Sequence, residues 1–223
     1  MFTGIIQTIG TVAALQPKGG DMSVYIRAAT SPSWDWSDVA LGDSIASNGV
    51  CLTAVNLPGD GFWADASNET LNLTSLKHWR LGQKINLEKA LTPQSRLGGH
   101  IVSGHVDGLG QVVKREADAR SERFTLRAPD ELAKYIAHKG SITVDGVSLT
   151  VNAVNGAEFE LNIVPHTLSH TVMGSYQAGS WVNLEVDVIA RYLERLLLGD
   201  KAAHSEGASE LTAAFLAQNG YWK

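Results

Sequence analysis

Four polar side chains occupy matched places in this sequence. Cys51, within Asn48-Gly49-Val50-Cys51-Leu52-Thr53, stands over Ser148, within Asp145-Gly146-Val147-Ser148-Leu149-Thr150, and Thr53 stands over Thr150. If both segments are strands, alternation puts 51 and 53 on one face, and likewise 148 and 150. Hydroxyls at the mouth of a barrel suit a polyhydroxyl ligand, because each can donate and accept. The competing reading is small residues filling a narrow barrel, and a lone Cys51 is more often a buried small hydrophobe than a nucleophile. The seven histidines, at 78, 100, 105, 138, 166, 170 and 204, form no HExxH motif and no Cys/His cluster. His166 and His170 are spaced i, i+4, but they follow Pro165 in strand-like sequence, which argues against a zinc face. There is no Walker loop and no GxSxG elbow, and the Gly-rich run 98–105 does not match a dinucleotide fingerprint. The expectation is chemistry without a metal or cofactor.

What positions these residues is a duplication. Gly49 and Gly146 are offset by 97, and the same offset pairs Phe62 with Phe159, Gly82 with Gly179 and Asn86-Leu87-Glu88 with Asn183-Leu184-Glu185. Upstream, Gly4 meets Gly104 and Arg27-Ala28 meets Arg127-Ala128 at an offset of 100, so the first copy carries three extra residues between about 29 and 43. Copies this long are globular domains rather than solenoid units. The Pro and two Gly of 91–99 fit a linker between them.

Each copy reads as about six short strands and one helix. Strands are expected at 2–12, 23–27, 44–46, 50–55, 62–66 and 84–88, and again at 141–144, 147–154, 158–164 and 181–186. Residues 17–21 read as a turn, and Asn48-Gly49 and Asp145-Gly146 as hairpin turns. Short helices are expected within 31–41 and over 131–137, the latter capped by Asp130 and ended by Gly140 in a left-handed conformation. Gly4 permits either a strand bulge or the close approach of backbone to a ligand. From Val188 onward, Ile189, Tyr192, Leu193, Leu196 and Leu197 recur at helical spacing, with Gly199 as a stop. That apolar face packs on its own chain or on the same helix of other subunits. Residues 200–208 read as a mobile polar tail, and 209–218 as a short final helix. The fold class is therefore mainly β: two small closed barrels plus a C-terminal helix.

With 223 residues, 44% hydrophobic and 18% charged, the chain is long enough for one or two domains with real cores. A net charge of −5 and the lack of a basic stripe argue against nucleic acid. No apolar run is long enough to span a bilayer. The N-terminus MFTGIIQTIG lacks a basic region and a cleavage site, and one cysteine permits no internal disulfide. A cytoplasmic location is expected.

The sequence resembles riboflavin synthase of the α-chain type, built from two lumazine-binding repeats. The resemblance rests on Met1-Phe2-Thr3-Gly4-Ile5, on NGVCLT at 48–53, GGHIVSGHVDG at 98–108, KGSITVDGVSLTV at 139–151, IVPHTL at 163–168 and VNLEVD at 182–187. It covers roughly residues 1–198 in order, and the peripheral positions Ser47, Ala54 and 64–68 match loosely.

The resemblance implies two six-stranded antiparallel Greek-key barrels, 1–97 and 98–186, a trimerisation helix at 187–199 and a tail at 200–223. It implies a homotrimer, with lumazine synthase as a further partner. The implied reaction is dismutation of two molecules of 6,7-dimethyl-8-ribityllumazine, by four-carbon transfer, to riboflavin and 5-amino-6-(ribitylamino)uracil, without cofactor or metal. A non-catalytic lumazine or flavin carrier of the same fold is the alternative. By the same resemblance Ser44, Cys51, His105 and Asp187 lie near the reacting rings, with Phe2 shaping the site. Gly4, Ile5, Ile6, Cys51, Leu52, Thr53, Asp65, Ala66, Ser67, Asn68, Glu69 and Thr70 bind substrate in the first barrel. Lys139, Ser148, Leu149, Thr150, Asn162, Ile163, Val164, Pro165, His166 and Thr167 do so in the second, and Gly104, His105 and Val106 complete the set.

Overall fold

The structure is a computed structural model and describes residues 1–203. The first repeat supplies β1 (Thr8–Lys18), β2 (Asp21–Arg27), β3 (Ser44–Ser47), β4 (Val50–Thr53), β5 (Gly61–Ala66), α1 (Asn68–Leu73) and β6 (Lys84–Lys89). The second supplies β7 (Gly108–Asp118), β8 (Ser121–Arg127), β9 (Ser141–Val144), β10 (Val147–Asn155), β11 (Glu158–Ile163), α2 (Pro165–His170) and β12 (Trp181–Val186). Helix α3 (Val188–Leu197) follows. All strand pairs are antiparallel.

The second sheet closes, in the order β10-β11-β8-β7-β12-β9. The first has the equivalent order β4-β3-β6-β1-β2-β5, but its edge strands meet only through an isolated bridge between Asn56 and Trp63. The difference is local: β10 runs to Asn155 and pairs with β11, whereas β4 stops at Thr53 shortly before Pro58-Gly59. Proline cannot donate to a ladder.

Both hairpin turns form as expected. Asn48 and Gly49 have φ of 46° and 78°, and Asp145 and Gly146 have 44° and 81°, the double left-handed conformation of a tight hairpin. Each barrel encloses its own core, one around Val24, Ile26, Phe62, Ile85 and Leu87, the other around Phe124, Leu126, Phe159, Val182 and Leu184.

Four local expectations are corrected. Residues 31–41 form no helix: the Ser31–Trp34 bridge and the carboxylates of Asp35 and Asp43, which accept the Ser37 and Ala40 N–H groups, hold a turn instead. Asp130 is not a cap; it lies inside the 3₁₀ segment Asp130–Tyr135 and accepts a bond from Arg127, and Lys139 rather than Gly140 takes the left-handed conformation (φ 64°). Strand β1 continues through Pro17 to Lys18, so only Gly19-Gly20 turn. Finally, β11 stops at Ile163, and Pro165–His170 is a helix: proline at the first helical position needs no N–H partner. At the C-terminus, Gly199–Ala203 forms a 3₁₀ turn. The expected final helix at 209–218 and the tail from 204 lie outside the described residues.

Short segments preceding each barrel cross between the repeats and obey a pseudo-twofold relation. Phe2 and Val102 exchange backbone hydrogen bonds of 2.7 and 3.1 Å. Glu88 accepts the Thr3 and Gly4 N–H groups at 2.7 and 2.9 Å, and its counterpart Glu185 accepts those of Ser103 and Gly104 at 2.6 and 3.0 Å. Asn86 donates to the Asp145 carbonyl and accepts from Val172 N–H, while Asn183 donates to the Asn48 carbonyl and accepts from Ser75 N–H. The two hairpin tips touch: a Cβ on Gly49 would lie 2.7 Å from Gly146 N.

Candidate functional site

Cys51 opens onto a cavity of about 220 Å³. Its walls include Glu69 and Thr70 from α1 and, from the other repeat, Gly104, His105 and Val106. The crossing segment is fixed by backbone: Cys51 N–H donates to the Gly104 carbonyl at 2.8 Å. Gly104 has φ +80°, and a Cβ there would meet Cys51 Cβ at 2.7 Å and Phe2 Cε2 at 2.8 Å, so only glycine fits. Phe2, fully buried, packs with Ala46 and Val102 beneath this contact.

The second repeat builds the mirror arrangement. Ser148 N–H donates to the Gly4 carbonyl at 2.7 Å, and a Cβ on Gly4 would lie 2.5 Å from Ser148 Cβ. Gly4 therefore serves the close approach of the second repeat's own backbone, rather than a bulge or the approach of a ligand. Gly4 and Ile6 lie against the second barrel rather than the first, since Ile6 packs on its core. At the position equivalent to Glu69 stands His166, whose ring stacks on His170 at 4.1 Å.

The two halves differ in chemistry. His100 Nδ1 lies 2.7 Å from Ser148 Oγ, and its Nε2 is 3.3 Å from Thr143 Oγ1. Burial lowers the His100 pKa, against the opposing field of Asp187. The ring is then neutral near pH 7, one nitrogen donating and the other accepting. Gly99 permits this approach, since a Cβ there would sit 2.8 Å from Ser148 Oγ. Sequence reasoning did not single out His100. It precedes the region where the copies align, and only its place in the Gly-rich run 98–105 signals it.

The expected catalytic residues thus divide. Cys51 and His105 share the first cavity; Asp187 acts electrostatically on His100 beside Ser148; Ser44 opens onto a different cavity, of about 470 Å³, with Asp35, Asp38 and Lys89. Among the substrate-binding expectations, Leu52 and Ala66 are buried in the first core and Ile163 in the second, so they shape the site only through backbone. Leu149 is half-buried against the second core. Thr53, at the end of β4, and Thr150, within β10, are exposed opposite Ser44 and Ser141. Asp65 is paired with Lys18 at 3.0 Å. Ser67 caps α1 by accepting Thr70 N–H, and Asn68 N–H donates to Asp21. Ile5, Lys139, Asn162, Val164, Pro165 and His166 are exposed, and Thr167 is half-buried. No group of three or more metal-ligating side chains occurs among the described residues.

The lumazine-binding domain family matches this chain twice, at residues 3–90 and 103–187. Riboflavin synthase of Photobacterium phosphoreum is 48% identical over 221 residues, covering 99% of each chain. The enzyme of Bacillus subtilis (strain 168) is 39% identical, covering 99% of this chain and 100% of that one. Among solved structures, LumP complexed with riboflavin superposes with a TM-score of 0.75 at 26% identity, covering 83% of this chain and 99% of that one. LumP complexed with 6,7-dimethyl-8-(1'-D-ribityl) lumazine gives 0.74 at 23% identity, with the same coverage.

Proposed function

This chain belongs to the riboflavin synthase family, enzymes that form riboflavin, and on that premise we propose that its two repeats, 1–97 and 98–186, each hold one molecule of 6,7-dimethyl-8-ribityllumazine. One molecule gives a four-carbon unit to the other, leaving riboflavin and 5-amino-6-(ribitylamino)uracil. The observation that carries this reading is the reciprocal crossing: Gly104 over Cys51, and Gly4 over Ser148. It gives the two repeats matched backbone crossings with different polar groups beside them, Glu69 and His105 near Cys51 and His100 at Ser148, as a reaction between two identical molecules in unequal roles requires.

Holding both molecules in contact converts a bimolecular step into a local one, worth up to about 7–11 kcal/mol in well-aligned systems. Cys51, His105, Glu69 and Thr70 serve the first molecule, and Ser148, Thr150, Asp187, Lys139, His166 and Thr167 the second. The exocyclic carbanion at the lumazine 7-methyl forms by loss of a proton to His105 or to water held near Asp187. Phe2 keeps the Gly104 crossing in place, and Ser44, on β3, lies near the reacting rings. We further propose that α3 joins three subunits in the cytoplasm, so that the first barrel of one faces the second barrel of its neighbour, with lumazine synthase as a further partner.

A carrier reading is not favoured, because the synthases are 39–48% identical while LumP is at 23–26%. The deciding experiment incubates the chain with dimethylribityllumazine and no additive. Growth of riboflavin absorbance supports the enzyme; retention of unchanged fluorescent ligand overturns it.

A further inference from the structure

A cleft of about 650 Å³ opens between the repeats and shares no lining residue with the Cys51 cavity. It straddles the pseudo-twofold relation: Trp79 and its counterpart Tyr176 both line it, as do Lys84 and its counterpart Trp181. The symmetry of position is not a symmetry of chemistry. The first repeat contributes the cations Lys84 and Arg80 together with His78 and Trp79, while the second contributes the rings of Tyr176 and Trp181 and no cation. Neither Arg80 nor Lys84 has a carboxylate partner among the described residues. Lys84 is held by Thr11 Oγ1 at 2.8 Å, leaving two of its protons available. Trp181, the first residue of β12, is 59% exposed. The buried Asp145 carboxylate lies on the aromatic side, occupied by Tyr176 O–H and Asn183 N–H.

A guanidinium and an ammonium on residues lining one cleft suit a dianion, and an exposed indole suits a flat ring. We propose that this cleft binds a planar heteroaromatic phosphomonoester, its ring against Trp181 and Tyr176 and its phosphate on Arg80, Lys84 and His78. Such a ligand is chemically the reaction product after phosphorylation of its side chain, so the cleft reads a compound made downstream by a phosphoryl-transfer reaction.

The probe is phosphorus-labelled flavin mononucleotide, retained by the full chain in equilibrium dialysis while excess unlabelled riboflavin fills the barrel sites. Label should remain bound under these conditions. Arg80→Ala and Trp181→Ala should each weaken retention by about tenfold or more, with riboflavin formation unchanged in both. Riboflavin formation on the same samples reads the catalytic proposal separately. Complete displacement of label by riboflavin, retention unaltered in both variants, or competition by inorganic phosphate at the same concentration as flavin mononucleotide would each overturn the proposal.

Discussion

Asn86 and Asn183 are the same residue of two repeats, and each spends its side-chain amide on the other repeat: Asn86 bonds Asp145 carbonyl and Val172 N–H at 2.9 and 2.8 Å, Asn183 bonds Asn48 carbonyl and Ser75 N–H at 2.8 and 2.7 Å. Both are buried, so each satisfies backbone groups that water cannot reach.

Asn86→Ala should therefore cost about 2–4 kcal/mol, from two buried backbone groups left unpaired. Urea denaturation measures it. A loss below about 0.5 kcal/mol would mean that water replaces the amide.

The crossing glycines predict paired defects. Gly104→Ala forces a Cβ within 2.7 Å of Cys51 at φ +80° and should cost about 2 kcal/mol or more. It should weaken lumazine binding at the first site before the second. Gly4→Ala should do the reverse, and fluorescence titration of each variant separates the two sites.

Stability should decline with rising pH. Burial raises the Glu185 carboxyl from 4.5 to about 7 and the Asp145 carboxyl from 3.8 to about 7. A folded-state pKa above the unfolded value means that the folded chain binds more protons between those limits. The favourable contribution is complete below the unfolded values and is lost as pH rises through about 7. Denaturation curves at pH 5, 6, 7 and 8 should show that fall, and Glu185→Gln should flatten part of it.

His100 should act as a positioning residue through Ser148. His100→Ala should lower kcat by up to about 100-fold with a smaller change in KM, since a misplaced polar group costs that much. Because the ring is neutral at pH 7, the acid limb tied to its protonation should lie below the ordinary histidine range. His100→Gln, which keeps a hydrogen-bonding group, should recover part of the rate. Equal loss in both variants, with an unchanged pH profile, would reduce His100 to packing.

The proposed trimer gives α3 a testable role. Ile189, Tyr192, Leu193, Leu196 and Leu197 are all exposed in the single chain, an apolar face large enough to seek a partner. On a sizing column the unaltered chain should elute as a trimer and Leu193→Glu with Leu196→Glu as a monomer. Elution unchanged by the substitutions would remove the helix from that role.

The sequence alone determined what depends on local pattern. The offset of 97 aligned two sets of strands, and Asn48-Gly49 and Asp145-Gly146 announced hairpins because few other dipeptides tolerate two successive left-handed residues. The residues around Cys51 and Ser148 were legible because duplication places them at matched points of one pattern. Tertiary structure alone decided which groups meet. Nothing near Gly4 indicates that its carbonyl serves Ser148 in the other repeat, because that bond spans the length of the chain between them. His100 has no counterpart in the first copy, so repetition could not flag it. Helix α2 was hidden because a Pro followed by β-favouring and polar residues scores equally as strand; the packing of Leu168 on the second core settles it. Ser44 and Cys51, seven residues apart on adjacent strands, open onto different cavities although they share a face of the β3–β4 pair: Ser44 stands opposite Thr53 and Cys51 opposite Ala46, two residues further along.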